Sequence, residues 1–540
     1  MTDVARTPLT PIAFLRRSAA VFADKQAIVS GSRRLTYRQF AEEAVAVARG
    51  LRALGVGPGD RVAYLSPNLP EMLVGHFAVP LAGGVLVAVN TRLAPAEIRY
   101  ILDHCGARVL VVHASLVGSV RPVADRLASV RHLVVVDGEN CDPVGGIDSL
   151  GYPDLLGAAP LGAADDGGLS WSVVDEDAVI AVNYTSGTTG RPKGVQYTHR
   201  GAYLNALGEV VHSRHTPDSV YLWTLPMFHC NGWCTTWGVT AVGGTHICLP
   251  AVDGEQIWRL IDTEGVTHLN GAPTVLVTIM SSPSAHQLTR RITVTTAGAP
   301  PSPTTISQMT DLGFEIVHVY GLTETYGPYA VCEVQPGWPA LPVQQRARLL
   351  ARQGVNMVQA EPMRVVDANL VDVPADGVTM GEIVMRGNNV MAGYHDDPEA
   401  TAQAFRGGWF HSGDLGVMHP DGYVELRDRA KDVIVSGGEN ISTVEVEQAV
   451  VSHPAVLETA VVGVPDDRWG ERPKAFVVLK PGAGATEADI ISHVQRQIAR
   501  YKAPRDVEFV TTLPKTATGK VQKYELREKE WTGHASRIQG

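Results

Sequence analysis

Short apolar runs alternate with longer amphipathic stretches through the first part of the chain. Ala27-Ile28-Val29, Arg61 to Leu65, Val85 to Val89 and Val109 to Val112 read as strands, and Tyr37 to Leu54 reads as an amphipathic helix. The apolar stretch Met72 to Val89 contains His76, Pro80, Gly83 and Gly84. It predicts a buried helix, a glycine turn and a buried strand, and no membrane span. Alternation of this kind implies an α/β architecture with largely parallel sheets. The interval from Asp137 to about Gly168 is rich in Gly, Asp and Pro and predicts a surface connection. The run Ala178 to Val182 predicts another buried strand. Leu225 to Trp233 predicts an aromatic-rich strand end entering a helix.

From Gly381 to Gly387 onward the pattern becomes turn-rich and antiparallel, suggesting a small β subdomain that Trp409 to Gly416 closes. A charged stretch, Arg427 to Asp432, follows. Beyond it, Ser442 and Glu445 predict a capping box opening a helix that stops at His453-Pro454. Val456 to Val464 and Lys474 to Leu479 read as strands. Thr486 caps a second helix with Ile490, Ile491, Val494 and Ile498 on one apolar face. This last region has the composition of a compact unit with its own core.

At 540 residues the chain is too long for one simple core, so about two to four folding units are expected. A formal net charge of −10 argues against nucleic acid as a partner, because phosphate backbones demand a basic face. It leaves room for a nucleotide, which needs only a local positive pocket. The six cysteines, at 105, 141, 230, 234, 248 and 332, are scattered, which fits free thiols in a reducing compartment. Cys230 and Cys234 beside His229 have no second ligand pair at zinc-like spacing. The apolar run Ala19 to Ala23 after Arg16-Arg17 is too short for a secretory signal, and a cytoplasmic location is expected.

Chemistry concentrates in the stretch Tyr184-Thr185-Ser186-Gly187-Thr188-Thr189-Gly190-Arg191-Pro192-Lys193-Gly194. Small residues let backbone N–H groups approach an anion, hydroxyls donate hydrogen bonds and the lysine adds a point charge. Polyphosphate binding suits that set. Pro192 and Gly194 stand where the ordinary Gly-x-x-x-x-Gly-Lys-Ser/Thr loop would need other residues, so a loop of that type is absent. The bland alternative is a polar turn between a strand and a helix. A second motif, Gly145 to Leu150, looks like the serine site of a carrier protein. Such a domain needs a helical bundle, and helices are not expected around the hexamer.

The order of residues from Tyr184 to Val195 resembles the signature of the adenylate-forming (AMP-binding) superfamily, most closely its fatty-acyl and medium-chain acyl-CoA ligases. Later segments extend the resemblance over most of the chain. It implies that Thr185, Ser186, Gly187, Thr188, Thr189, Gly190 and Lys193 bind the polyphosphate of ATP. Thr293 to Pro300 resembles the adenine-binding turn, with Gly298, Ala299 and Pro300 against the base. Val319, Tyr320, Gly321, Leu322 and Thr323 resemble the following nucleotide segment, Tyr320 stacking on adenine and Thr323 holding the α-phosphate. Glu324 resembles the Mg2+ ligand. Asp414 and Arg429 resemble the ribose-binding pair, although a turn aspartate and a solvated charged turn are the default readings of such residues alone. His229, Trp233, Gly298 and Tyr326 correspond to the acyl pocket. Amino-acid-activating relatives place an aspartate near there, where this chain has Cys230 and Asn231, so an acid without an amine is expected. In Pro514 to Lys523, Lys520 resembles the lysine that contacts both the carboxylate and the α-phosphate. A surface lysine is the bland reading.

The resemblance implies a large N-terminal domain of two α/β sheet subdomains plus a β subdomain over residues 1–428, a hinge at 429–431 centred on Lys431, and a small mobile α+β domain at 432–540. The implied function is ATP-dependent acyl-CoA synthesis. An acid is activated as acyl-AMP, with Lys520, Glu324, Thr185 and Lys193 as catalytic residues, and is passed to CoA after Ser436, Gly437 and Gly438 turn toward the pantetheine arm. The expected acid is medium- or long-chain, or bulky and apolar. ATP, Mg2+ and coenzyme A are the expected cofactors, and a homodimer the expected assembly. Alternatives are an acyl-AMP ligase loading a separate carrier protein, a non-catalytic nucleotide-binding relative and a luciferase-like oxygenase.

Overall fold

The computed structural model describes residues 6–138, 143–158, 169–185, 191–298, 303–429, 431–436, 439–466, 468–516 and 521–532. The chain divides into two compact units. The first comprises residues 1–351, 356–361 and 386–403; the second comprises 352–355, 362–385 and 404–540.

Two sheets organise the first unit. One has eight strands in the order 393–394, 194–198, 179–184, 85–88, 61–65, 107–113, 132–136 and 148–151. Its middle strands pair in parallel, whereas Gly194–Thr198 runs antiparallel to Val179–Tyr184. The other sheet takes 327–331, 314–322, 292–296, 268–271, 220–222, 245–247, 26–30 and 33–36 in spatial order, again mostly parallel. Parallel strands are covered on both faces, so they read as continuous apolar runs such as Leu133 to Val136 and Val109 to Val112. The helices follow local rules. Tyr37–Ala53 begins at a reciprocal capping box between Thr36 and Gln39 and buries Phe40, Ala44, Val47, Ala48 and Leu51 along one stripe. Pro70–Leu81 is buried at every position, which is why it is apolar all round. Gly83 turns the chain into the next strand at φ +92°.

The second unit holds two further sheets. An antiparallel sheet takes 364–366, 380–385, 410–418 and 424–429 in order. A five-stranded sheet is built on the long antiparallel pair Val456–Asp466 and Gly470–Leu479. Helices Thr443–Val451 and Glu487–Gln495 cover that sheet through Val446, Val450, Ile490 and Val494. Among the described residues no helix is long and apolar enough to cross a membrane.

Three local expectations are corrected. The interval after Asp137 is not all surface connection: Asp148–Gly151 pairs in parallel with His132–Val136, and Tyr152–Gly157 is a short helix. Ser149 stands in that strand opposite Leu133, so the carrier-like hexamer is part of a sheet edge. At residue 442 only half of the capping box forms. Ser442 accepts from the Glu445 N–H, while the Glu445 carboxylate pairs with Lys502 instead. Finally, the segment after His229 does not enter a right-handed helix directly, as described next.

Candidate functional site

The carboxyl ends of parallel strands are where α/β sheets present loops for ligands. Three such ends carry the residues singled out above. The first is Tyr184. The hairpin from Val179–Tyr184 to Gly194–Thr198 is closed at its neck, where the Thr185 N–H donates to the Lys193 carbonyl (3.0 Å) and the Lys193 N–H reaches Thr185 Oγ1 (3.4 Å). Ser186, Gly187, Thr188, Thr189 and Gly190 lie outside the described residues. Gly194 leaves no room for a side chain, since a Cβ there would lie 2.9 Å from Val182 Cγ1.

The short strand Gly393–Tyr394 pairs with this hairpin, Tyr394 opposite Val195. That register places the Tyr394 ring under Lys193, whose Nζ is 4.7 Å from the ring centroid. The Tyr394 hydroxyl donates to Glu324 Oε1 at 2.9 Å. Burial and the adjacent Glu324 carboxylate push the phenol pKa well above its ordinary value, so it stays a donor. Lys193 and Glu324, which are 131 positions apart in sequence, thus contact one side chain, Lys193 over the Tyr394 ring and Glu324 at its hydroxyl. Tyr394 carries no motif. Only the turn-rich stretch around it marked the place, and pairing with residues about 200 positions earlier gives it a role.

The second end is Leu322. The strand Phe314–Leu322 runs parallel to Ile292–Thr296, and its last residues, including Val319 and Tyr320, pair antiparallel with Gly327–Val331. The register slips between Tyr320 and Gly321, and a Cβ on Gly321 would stand 1.9 Å from the Gly327 carbonyl oxygen. Thr323–Thr325 form one 3₁₀ turn, held by the Leu322 N–H to Thr325 Oγ1 (2.9 Å) and by Thr325 Oγ1 to the Gly327 carbonyl (2.8 Å). The Tyr197 hydroxyl fastens the Thr323 carbonyl at 2.6 Å. Tyr326, at φ +62°, stacks on Tyr197 with centroids 3.9 Å apart and accepts from the Thr198 N–H at 2.7 Å. Its side chain is buried and supports the turn from below. Tyr320 is also largely buried.

The third end is Thr296. Gly298 has φ +93°, and among the described residues no atom lies within 4 Å of where its Cβ would be. Ala299 and Pro300 lie outside the described residues.

Beside these ends, Cys230, Asn231, Gly232, Trp233 and Cys234 take φ of +47°, +43°, +57°, +55° and +62°, a full left-handed turn before the helix Thr235–Val242. Each non-glycine residue in that conformation costs about 1–2 kcal/mol, so surrounding contacts must impose it. They are present. The Gly232 N–H donates to the His229 carbonyl (2.8 Å), Thr235 Oγ1 to the Gly232 carbonyl (2.6 Å) and the Asn231 N–H to Asn183 Oδ1 (3.2 Å). Gly232 abuts the Trp223 ring, and Trp233 lies against Gly327 where a Cβ would clash at 2.7 Å. The turn brings Cys230 and Trp233 into one apolar cluster with Val319, Val331 and Met357, beside Ala297. Cys230 Sγ is 3.5 Å from Thr323 Oγ1 and 3.9 Å from His229. Burial pushes the Cys230 thiol up to about 12, which makes it a poor metal ligand at neutral pH.

In the second unit, Asp414 and Arg429 are direct partners across adjacent strands, with Arg429 Nε 3.2 Å from Asp414 Oδ1. The aspartate is nearly buried, and its N–H donates to Ser412 Oγ at 3.1 Å. Burial, then the neighbouring Arg429 charge, lower the Lys431 pKa to about 8, with Asp432 opposing. Ser436 ends the strand Ile434–Ser436, facing Gly470 and Glu439. Gly437, Gly438 and Lys520 lie outside the described residues. The neck of the Lys520 loop is described: Lys515 and Val521 form an antiparallel bridge, and the Gln522 N–H donates to the Pro514 carbonyl at 2.8 Å.

The AMP-binding enzyme family profile matches residues 15–395, and the profile of the AMP-binding enzyme C-terminal domain matches residues 445–520. The chain belongs to the AMP-binding enzymes. An acetate–CoA ligase of Humulus lupulus, CCL3, is 45% identical over 97% of this chain and 95% of its own. The 4-hydroxybutyrate–CoA ligase 2 of Metallosphaera sedula is 43% identical over 96% and 94%. Among solved structures, the anthranilate CoA ligase AuaEII in complex with anthranoyl-AMP matches with a TM-score of 0.84 and 28% identity, covering 98% of this chain and 99% of that one.

Proposed function

We propose that this AMP-binding enzyme is an ATP-dependent acyl-CoA synthetase acting on a short aliphatic acid. The observation that carries the reading is the joint placement of Lys193 and Glu324 about Tyr394: a cation suited to phosphate and a carboxylate suited to a divalent ion, held by a fixed donor. The reaction ligates an acid to CoA in two steps. A carboxylate oxygen attacks the α-phosphorus of ATP and displaces pyrophosphate; the CoA thiolate then attacks the acyl carbonyl and displaces AMP.

Lys193, with the Thr185–Gly190 loop, takes the departing pyrophosphate. Thr323 holds the α-phosphate, and its carbonyl anchor to Tyr197 keeps that hydroxyl in place. Gly298, Ala299, Pro300, Tyr320 and Gly321 take the adenine, the glycine letting a flat base approach the backbone. Asp414 and Arg429 take the ribose hydroxyls, an ionised two-oxygen acceptor being suited to both. Lys520 bridges the two reacting anions. Lys431 acts as the hinge that later presents Ser436 to Gly438 to the pantetheine arm. Glu324, partly exposed, is a hard oxygen donor that fits Mg2+, which keeps most of its waters and needs only one or two carboxylates beside the phosphates. When bound, Mg2+ neutralises phosphate charge.

A short acid is favoured over the longer one that the sequence suggested. Trp233 is packed against Gly327 and walled by Val319, Val331 and Met357, which supports a shallow acyl slot. The relatives named for acetate and 4-hydroxybutyrate point the same way. Cytoplasmic location and a homodimer are part of this proposal, to be checked by imaging a fluorescent fusion and by sedimentation.

The test is product analysis by mass spectrometry after mixing the protein with MgATP, CoA and acids graded from acetate to palmitate, with anthranilate and an amino acid added. AMP accompanied by an acyl-CoA of two to about five carbons is expected. Palmitoyl-CoA as the main product would overturn the acid, and acyl-AMP without thioester would shift the acceptor to a carrier protein. ADP, or no nucleotide turnover, would overturn the reaction. Tyr394→Phe removes one hydrogen bond to a charged group, worth about 1.5–3 kcal/mol. Adenylate formation should fall roughly tenfold or more, with the apparent affinity for MgATP moving alongside it. An unchanged rate would show that Glu324 needs no fixed donor.

A further inference from the structure

The cluster of carboxylates and cations inside the second unit takes no part in the chemistry described above. Helix Lys523–Trp531 begins three residues after Lys520. Lys523 Nζ donates to Thr443 Oγ1 at 2.6 Å and lies 2.9 Å from Glu447 Oε1, with its side chain only 16% exposed. Thr443 Oγ1 in turn donates to Asp428 Oδ2 at 2.9 Å, and Asp428 also accepts the N–H groups of Thr443 and Arg429. One helical turn further on, Arg527 pairs with Asp432 at 2.7 Å, both side chains nearly buried. Glu447 Oε1 accepts the Val461 N–H as well, at 2.7 Å. Residues four apart share a helix face, so one face of this helix is fastened to Asp432 directly through Arg527 and to Asp428 indirectly, through Lys523 and Thr443.

We propose that Lys523 is a positioning residue for Lys520: the buried ion cluster anchors the first turn of the helix that follows Lys520 to Thr443 and Glu447 and, through Thr443, to Asp428. The inference rests on the reading of Lys520 given under the proposed function. Its physical ground is that a largely buried ammonium needs a partnered site, and this one is spent on the first turn after the loop. The loop's other side is held by the Lys515–Val521 bridge and by the Lys515–Glu458 ion pair at 2.5 Å. A misplacement of about 1 Å at a reacting group can cost on the order of 10²-fold in rate.

The experiment uses the full chain, butyrate and MgATP, and reads ATP–pyrophosphate exchange for Lys520→Ala, Lys523→Met, Lys523→Arg and the double variant Lys520→Ala/Lys523→Met. Lys523→Met should lower the exchange rate at least tenfold with KM for ATP within about twofold, and Lys523→Arg should recover most of it. Because Lys523 acts through Lys520, the double variant should be no slower than Lys520→Ala alone. Exchange by Lys523→Met within twofold of the parent, or a double variant slower by the full Lys523→Met factor, overturns the proposal. If Lys523→Met does not yield folded protein, Glu447→Gln, which keeps the shape and removes the charge, should lower exchange at least threefold, and no change overturns the proposal. Full exchange by Lys520→Ala overturns the functional reading, and this inference with it.

Discussion

Lys520→Ala is expected to lower adenylate formation by on the order of 10²–10³, the loss typical of removing one charge-stabilising group from a transition state. The first step brings a carboxylate onto a phosphate, so two anions approach each other. A cation that touches both at the point of attack stabilises the transition state more than either separated reactant, and rate follows that difference. The second step starts from a neutral acyl carbonyl and needs no such bridge. Thioester formation from supplied acyl-adenylate and CoA should therefore stay within about threefold of the parent. Pyrophosphate exchange and thioester formation measured separately decide the matter. Equal loss in both would sink the assignment of Lys520 to the first step.

Glu209→Gln is expected to stabilise the fold by an amount that grows with pH. Glu209 lies on the helix His199–His212, is 1% exposed, and among the described residues its Oε1 has no hydrogen-bond partner. Burial raises its carboxyl to about 8, with a Ser213 hydrogen bond pulling the other way. In the unfolded chain the same group titrates near 4.5. Between these values the unfolded chain has released a proton that the folded chain keeps, so stability falls as pH rises from about 4.5 to 8. The cost reaches roughly 3–5 kcal/mol at the upper end, at about 1.4 kcal/mol per pKa unit. Buried histidines work in the opposite sense. His76 and His199 are held down to about 4 and His246 to about 3 by burial, so the stability they contribute grows as pH rises from those values toward 6.5 and is constant above it. They are common to both proteins, and the difference between variant and parent isolates Glu209. The melting temperature of Glu209→Gln should exceed the parent's by an amount that grows from near zero at pH 5 to several degrees at pH 8. A difference that does not change with pH would show that Glu209 ionises within the fold.

How much of this was legible beforehand depends on range. Arg61–Leu65, the helix from Tyr37 and the helix–turn–strand from Pro70 to Ala88 follow from local periodicity and emerge with nearly the expected bounds. The Asp148–Gly151 strand did not, because its few polar and small residues carry no period, and only the adjacent strand His132–Val136 makes it one. The same holds for Tyr394.

The sequence by itself determined the kinds of group at each strand end: hydroxyls, glycines and a lysine after Tyr184, a carboxylate after Thr323, a paired aspartate and arginine at 414 and 429. Those are one-dimensional facts, since donor, acceptor and charge belong to residue types and their spacing. The tertiary structure decided which of them meet. Lys193 and Glu324 share Tyr394 because two distant strands pair in one register. Cys230 to Cys234 wind left-handed because Trp223, Gly327 and Asn183 leave no other room, against the local preference of every non-glycine residue there. Lys523 is held because Thr443 and Glu447, one turn apart on a helix about 80 positions earlier, both meet it, while Asp428 on a neighbouring strand holds Thr443. Contacts at long sequence separation set these outcomes, and local composition holds no trace of them.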